Sequence, residues 1–359
     1  MIESRKLKVR TLASGTELSI RVYTVRGRNP HAKKAYIQSS MHGSEVQGNA
    51  VIAALLAHFA HTPPEGDVTL VPNANPYAID QKCGEYTNGR FDPTTGTNWN
   101  RNYWLPHIGE TRRPRWSELR RLAAAGITAA IRDRLAGNLS CAQHLALTLQ
   151  SLAATADYVI DLHCANVSVR HLYAPEYAVQ AARRFAIPLL LAIPNTFDGA
   201  LDESVSCAWW TFWSGLQAEG YADLPPLDEL PQGLTLELGG HEVVSRTEAE
   251  RDAEGVLNFL RHRGVVGGSA CEPEAGFVCA LDNYRILYAR HAGHADYTAV
   301  LGSVVKQGEQ LAQTLQFADG PRWLPTLAEE DCIPILHHSS AVIHEGSELM
   351  KVFTRFRAV

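Results

Sequence analysis

Between Lys34 and Arg263 the chain alternates short apolar runs with stretches of helical length, and this alternation narrows the folds open to it more than any other feature. KAYIQSS (34–40) is apolar-rich and ends in polar residues. NAVIAALLAHFA (49–60) has helical length and an apolar face, and VTLVPNANP (68–76) reads as a strand stopped by proline. ADYVIDLH (156–163) reads as a buried strand after a long helical stretch. GLTLELGG (233–240) is a strand leaving into a glycine turn, and residues 246–263 form a helix after it. Strand and helix in alternation predict an α/β domain, with a mixed, mostly parallel sheet covered by helices. Beyond GVVGGSACEPE (264–274) the segments are short, β-rich and separated by glycine turns, which predicts a smaller all-β domain. The expected division is 1–267 and 268–359.

Composition sets outer limits. Of 359 residues, 45% are hydrophobic and 20% charged, ordinary for a chain that buries a large core, and this argues against disorder or a small disulfide scaffold. The net charge of −5 does not suggest a dedicated nucleic-acid binder. No apolar run approaches the roughly 18 residues of a membrane span. MIESRKLKVR has no apolar core of the kind a secretory signal needs. The seven scattered cysteines are odd in number and form no CxxC pair, so reduced thiols in the cytoplasm are expected. Arginines crowd residues 105–155, among them Arg112, Arg113, Arg120 and Arg134. A pair of solvated amphipathic helices is the favoured reading over an anion- or RNA-facing patch.

The sharpest motif is Met41-His42-Gly43-Ser44-Glu45, where a strand ends and a helix begins. A histidine and a glutamate three apart can face one centre, and imidazole nitrogen and carboxylate oxygen are both good Zn²⁺ ligands. Gly43 would allow the tight backbone turn between them. By itself HxxE is also compatible with a surface histidine at a helix start. His163 closes the strand YVIDLH, at the end where α/β sheets collect ligands. A close pair plus one distant histidine is a common catalytic zinc arrangement, with the fourth position left for solvent. Asp161 is either an orienting partner for a ligand histidine or a strand-end carboxylate bonded to backbone, the blander alternative being favoured. Glu237 lies inside an apolar strand, where a carboxylate is costly unless it has a partner or a task, and proton transfer is such a task. In the loop NGRFDP through TNWNRN, one of the two arginines, Arg90 and Arg101, suits a substrate carboxylate with Asn100 as an orienting neighbour, and the other could stabilise an oxyanion; taken alone, loop arginines paired with local acids are the favoured reading. The aromatic cluster Trp209, Trp210, Phe212 and Trp213 reads as core, and the histidines of the tail as unrelated strand residues.

Together SMHGSE, NANPYA, GRFDP through WNRNYW, VIDLH and TLELGG resemble, in content and order, the succinylglutamate desuccinylase/aspartoacylase family of the zinc carboxypeptidase superfamily. The resemblance spans about 35–240. It implies a zinc-carboxypeptidase-like fold and one Zn²⁺ held by His42, Glu45 and His163. It implies a catalytic glutamate at Glu237, a carbonyl-polarising arginine at Arg90, and a substrate-carboxylate pair at Asn100 and Arg101. It also implies a tail similar to biotinyl/lipoyl carriers, although no EAMKM-like lysine turn is visible for a carried group. The family's usual DLNR reads NWNR here, with Asn98 where an aspartate is common. The expected function is zinc-dependent hydrolysis of an amide bond in an N-acyl amino acid or a similar small carboxylate. The alternatives are a carboxypeptidase, an ester deacylase or a non-catalytic binding protein on the same scaffold. The partner is a small-molecule carboxylate, with no nucleic acid and no membrane; the tail could also support a homo-oligomer.

Overall fold

The computed structural model describes residues 2–109 and 115–359. Its centre is a ten-stranded sheet with the strands in the order Ile2–Thr11, Glu17–Val25, Val68–Val71, Ala35–Ser39, Tyr158–Ala165, Gln232–Gly240, His171–Pro175, Leu189–Ile193, Phe277–Ala280 and Arg357–Ala358. Five of the nine neighbouring pairs are parallel, and they include the three innermost strands that carry the candidate site. The N-terminal hairpin Ile2–Thr11 with Glu17–Val25 was not anticipated from sequence. Its first strand is exposed at most positions and so lacks the buried alternation by which strands are recognised.

The central strand Tyr158–Ala165 is buried on both faces, which is why it reads as an apolar run. Tyr158, Ile160, Leu162 and Cys164 join Leu234, Leu236 and Leu238 of the next strand in one core, against Val51, Ile52 and Leu55 of helix Gln47–His61 and Phe259 of helix Arg246–His262. Each such fully buried aliphatic side chain contributes about 1.5–3 kcal/mol. Val159, on the opposite face, packs with Tyr36, Leu145 and Leu149, the last two from helix Cys141–Ala153. That helix starts at a capping box in which the Ser140 hydroxyl accepts from Gln143 N and the Gln143 side chain accepts from Ser140 N.

Helix Trp116–Leu135 carries Leu119, Ala123, Ile127 and Ile131 on its buried face, where Trp209 and Phe212 also pack. The arginine-rich stretch is thus an amphipathic helix: Arg120 pairs with Asp157, and the Arg134 guanidinium lies 4.7 Å from the Trp104 ring centroid. Arg112 and Arg113 lie outside the described residues.

The tail supplies seven of the eight strands of two four-stranded antiparallel sheets, an all-β region as the glycine-punctuated segments predict. Strand pairing crosses residue 268 in both directions. Phe277–Ala280 and Arg357–Ala358 extend the large sheet, and Val167–Ser168 pairs with Cys332–His337 in a tail sheet. Among the described residues no helix is long and apolar enough to cross a membrane.

Candidate metal centre

Sheet register assembles the site. Gln38, Asp161, Thr235 and Tyr173 form one row across four strands, and His163, Glu237 and His171 form the next. Residues two apart on a strand share a face, so both polar rows look the same way at the carboxyl ends of the parallel strands. His42 and Glu45 arrive from the turn between strand Ala35–Ser39 and helix Gln47–His61. Ser40, at φ 61°, sends the chain out of the strand, and its hydroxyl donates to Glu45 O at 3.0 Å. Asn75 Nδ2 holds the Met41 carbonyl at 2.9 Å. Gly43 matters through close approach, not through a left-handed turn: a Cβ there would lie 2.1 Å from the Ala78 carbonyl oxygen.

These elements close the 118-residue separation between Glu45 and His163. His42 Nδ1 lies 2.8 Å from Glu45 Oε1, and His163 Nδ1 lies 2.6 Å from Glu45 Oε2. One ligating atom from each of the three side chains falls within 4.8 Å of the others, and their exposures are only 4%, 1% and 3%. Cys164 N also donates to Glu45 Oε2 at 3.3 Å.

Electrostatics show what the pocket favours. Burial opposes ionisation of Glu45, yet His42 and His163 hold its carboxyl well below the usual range. Burial likewise opposes a charged His163, but Asp161 and Glu45 outweigh it and raise the imidazole well above its ordinary value. Asp161 Oδ2 is 3.0 Å from His163 Nε2 but is not aligned as a hydrogen bond, and it is left buried without a partner. A ring whose Nδ1 takes a metal keeps its proton on Nε2, the atom facing that orphaned oxygen. Two imidazole nitrogens and a carboxylate, buried and convergent, fit a divalent zinc-like ion with one coordination position open.

Glu237 sits beside His163 in register. Burial, and then repulsion from Glu45, pushes its carboxyl up to about 7, and its Oε2 is buried without a hydrogen-bond partner. Gly239, at φ 104°, lies within a register shift between Glu237 and Gly240, so the double glycine ends the pairing and turns the strand.

The loop after Gly89 supplies the other wall. Asp92 is buried and accepts from Thr94 N and Thr95 Oγ1, while Trp99 N donates to Arg90 O at 3.2 Å. Trp99 is buried and stacked on Tyr77, which anchors the end of the loop. Arg90 Nη1 reaches Glu45 Oε1 at 3.4 Å, with its side chain half exposed. Asn100 is buried, with Nδ2 3.3 Å from His163 Nε2. Arg101 is directed elsewhere, donating to Asp198 Oδ2 at 3.1 Å and to Asn100 O at 2.8 Å.

Two residues at the site escaped the sequence reading in this role. Asn98, noticed only as a departure from an aspartate, accepts from His42 Nε2 at 2.8 Å. His241 Nε2 lies 3.1 Å from Cys164 O and 3.6 Å from Glu45 Oε1. Its signal in the sequence is slight, a histidine directly after the double glycine of TLELGG.

The sequence and the fold both have known relatives. Residues 31–136 and 133–263 match the model of the succinylglutamate desuccinylase/aspartoacylase catalytic domain. A Shewanella frigidimarina NCIMB 400 protein, provisionally named a succinylglutamate desuccinylase/aspartoacylase, is 37% identical with a TM-score of 0.95, covering 99% of this chain and 98% of its own. A provisionally named family member from Shewanella amazonensis SB2B is 39% identical with a TM-score of 0.92, covering 99% and 100%. A succinylglutamate desuccinylase from Silicibacter sp. TM1040, at 20% identity and a TM-score of 0.67 over 98% and 95%, shares the fold. No curated protein matches.

Proposed function

The chain belongs to the succinylglutamate desuccinylase/aspartoacylase family of hydrolytic deacylases, and from that premise we propose that it is a zinc-dependent amidohydrolase acting on an N-acyl amino acid or a similar small carboxylate. The observation that carries the reading is Glu237: a half-buried carboxylate whose Oε2 is buried without a partner, in register beside His163, with its carboxyl raised to about 7. A base poised near neutrality can take a proton and later return it.

His42, Glu45 and His163 would hold the ion, which when bound supplies Lewis acidity that polarises a carbonyl and acidifies water. Glu237 takes the proton of the attacking water and delivers it to the leaving nitrogen as the amide C–N bond breaks. Arg90, half exposed and already turned toward Glu45, would steady the oxyanion of the tetrahedral species. Asn100 and Arg101 are the proposed seat for the substrate carboxylate. Arg101 would have to exchange its exposed partner Asp198 for that carboxylate, whereas Asn100 acts from its place against His163. A cytoplasmic setting is supported by seven cysteines without a disulfide.

The test is metal analysis together with a panel of N-acyl amino acids, short peptides and esters, on wild type and Glu237→Gln. Glu237→Gln should lower kcat by about 10²–10⁴-fold on the amide substrates while keeping its metal. Wild-type turnover confined to peptides or esters would replace the deacylase reading. Undiminished activity in Glu237→Gln would remove this carboxylate from the mechanism.

A further inference from the structure

The two candidate ligand histidines are held from behind by unlike groups. His42 Nε2 meets the amide oxygen of Asn98 at 2.8 Å, whereas His163 Nε2 faces Asp161 Oδ2 at 3.0 Å, at ion-pair distance but out of line for a hydrogen bond, with Asn100 Nδ2 at 3.3 Å beside it. Both arrangements are fixed by further bonds. Asn98 Oδ1 also accepts from Asn100 N at 2.9 Å, within the turn anchored by Trp99. Asp161 Oδ1 accepts from Gln38 Nε2 at 3.0 Å, and Gln38 Oε1 accepts from Tyr36 Oη at 2.9 Å, all inside the core.

We propose that Asn98 and Asp161 are positioning residues for the metal ligands, and that their difference in charge makes His163 the strong imidazole donor and His42 the weak one. The inference rests on the metal-site reading above. An acceptor behind a ligand imidazole sets its tautomer and orientation, and a carboxylate also raises its basicity. Asn98 orients His42 without adding negative charge. An aspartate at position 98 would place a second carboxylate behind the ligand histidines, beside Asp161, where the chain has a neutral amide. Asn98 thus exchanges some grip on the ion for a more electron-poor centre.

The experiment uses the full chain stripped of metal. Zn²⁺ affinity is measured by competition with a chromophoric chelator, and Co²⁺ substitution reports ligand geometry through its visible absorption. Asp161→Asn should weaken Zn²⁺ binding about 10–100-fold, and Asn98→Asp should tighten it by about tenfold and shift the Co²⁺ bands. Asn98→Ala should weaken binding, and His337→Ala, outside any convergent donor set among the described residues, should bind as wild type does. If the buried Asp161→Asn variant does not fold, the two Asn98 variants decide the matter. An Asn98→Asp dissociation constant within about twofold of wild type, or a weaker one, overturns the proposal. A wild-type chain that binds neither Zn²⁺ nor Co²⁺ overturns the metal-site reading itself, a different failure.

Discussion

The large sheet and the β-rich tail both contain histidines, but the buried convergent pair lies at the sheet. His42 and His163 are nearly inaccessible, with ring centroids 5.2 Å apart and one carboxylate between them. In the tail, His291, His294 and His344 are exposed and His337 and His338 half-buried. His337 stacks on Tyr297 with centroids 3.9 Å apart and bonds its neighbour's carbonyl, and His294 meets Phe317 edge-on. An exposed imidazole costs little. Two buried beside a carboxylate carry a desolvation cost, which the attraction between the opposite charges offsets. Convergence at that cost, more than histidine number, distinguishes a site from a scattering.

The largest effect should follow from removing one sheet histidine. His163→Ala deletes a proposed ligand and leaves Asp161 Oδ2 without the imidazole it faces. Zn²⁺ binding should weaken by more than the roughly 100-fold that loss of an outer hydrogen-bond partner can cost, and turnover should vanish with it. Calorimetric titration of zinc, paired with the acylase assay, measures both. Zinc binding close to wild type in this variant would mean that the buried cluster is structural.

Much of this was readable from sequence, and the unread parts share a cause. The convergence of MHGSE and YVIDLH was legible because each couples a strand-like run to histidine or glutamate at its carboxyl end, where parallel pairing brings them together. Glu237 was legible as a carboxylate out of place in an apolar run. Asn98 and His241 were not, because their roles depend on the path of a loop: the turns made by Asp92, the anchoring of Trp99 and the bend at Gly239. Gly43 was singled out for a turn, whereas the structure requires it for passage past the Ala78 carbonyl, a contact between segments distant in sequence. Arg101 was matched to a substrate carboxylate by type, and only the fold reveals Asp198 as its partner.

His171 lies between the two populations. It shares the row of His163 and Glu237 but is fully buried, against Tyr173 and the tail residue Tyr284. It bonds Val169 O through Nδ1 at 3.0 Å, and Nε2 has no partner. Burial, reinforced by Lys351, lowers its imidazole to about 4. The unfolded ring takes a proton near its ordinary 6.5 and the native ring resists until about 4, so between these values the unfolded state binds more protons. Stability is therefore full above about 6.5 and falls as the pH drops toward 4, by on the order of 3 kcal/mol from this group. Denaturant titrations from pH 4 to 7 on wild type and His171→Leu would measure the difference in slope. Parallel pH profiles for the two proteins would show that His171 is not the group responsible.

The smallest effect belongs to the tail. His337→Ala removes a half-buried ring stacked on Tyr297 and should cost about 0.5–1.5 kcal/mol, read as a small shift in Tm. Zinc affinity and turnover should stay within about twofold of wild type, because His337 belongs to no convergent set of donors among the described residues. The seam makes this a real test. Cys332–His337 pairs with Val167–Ser168, a few residues after His163, with His337 opposite Val167. If truncating His337 lowered turnover as much as it lowered Tm, the tail would be transmitting strain through that short strand to the ligand histidine. The contrast between a working sheet and a passive tail would then give way to a site supported from both sides.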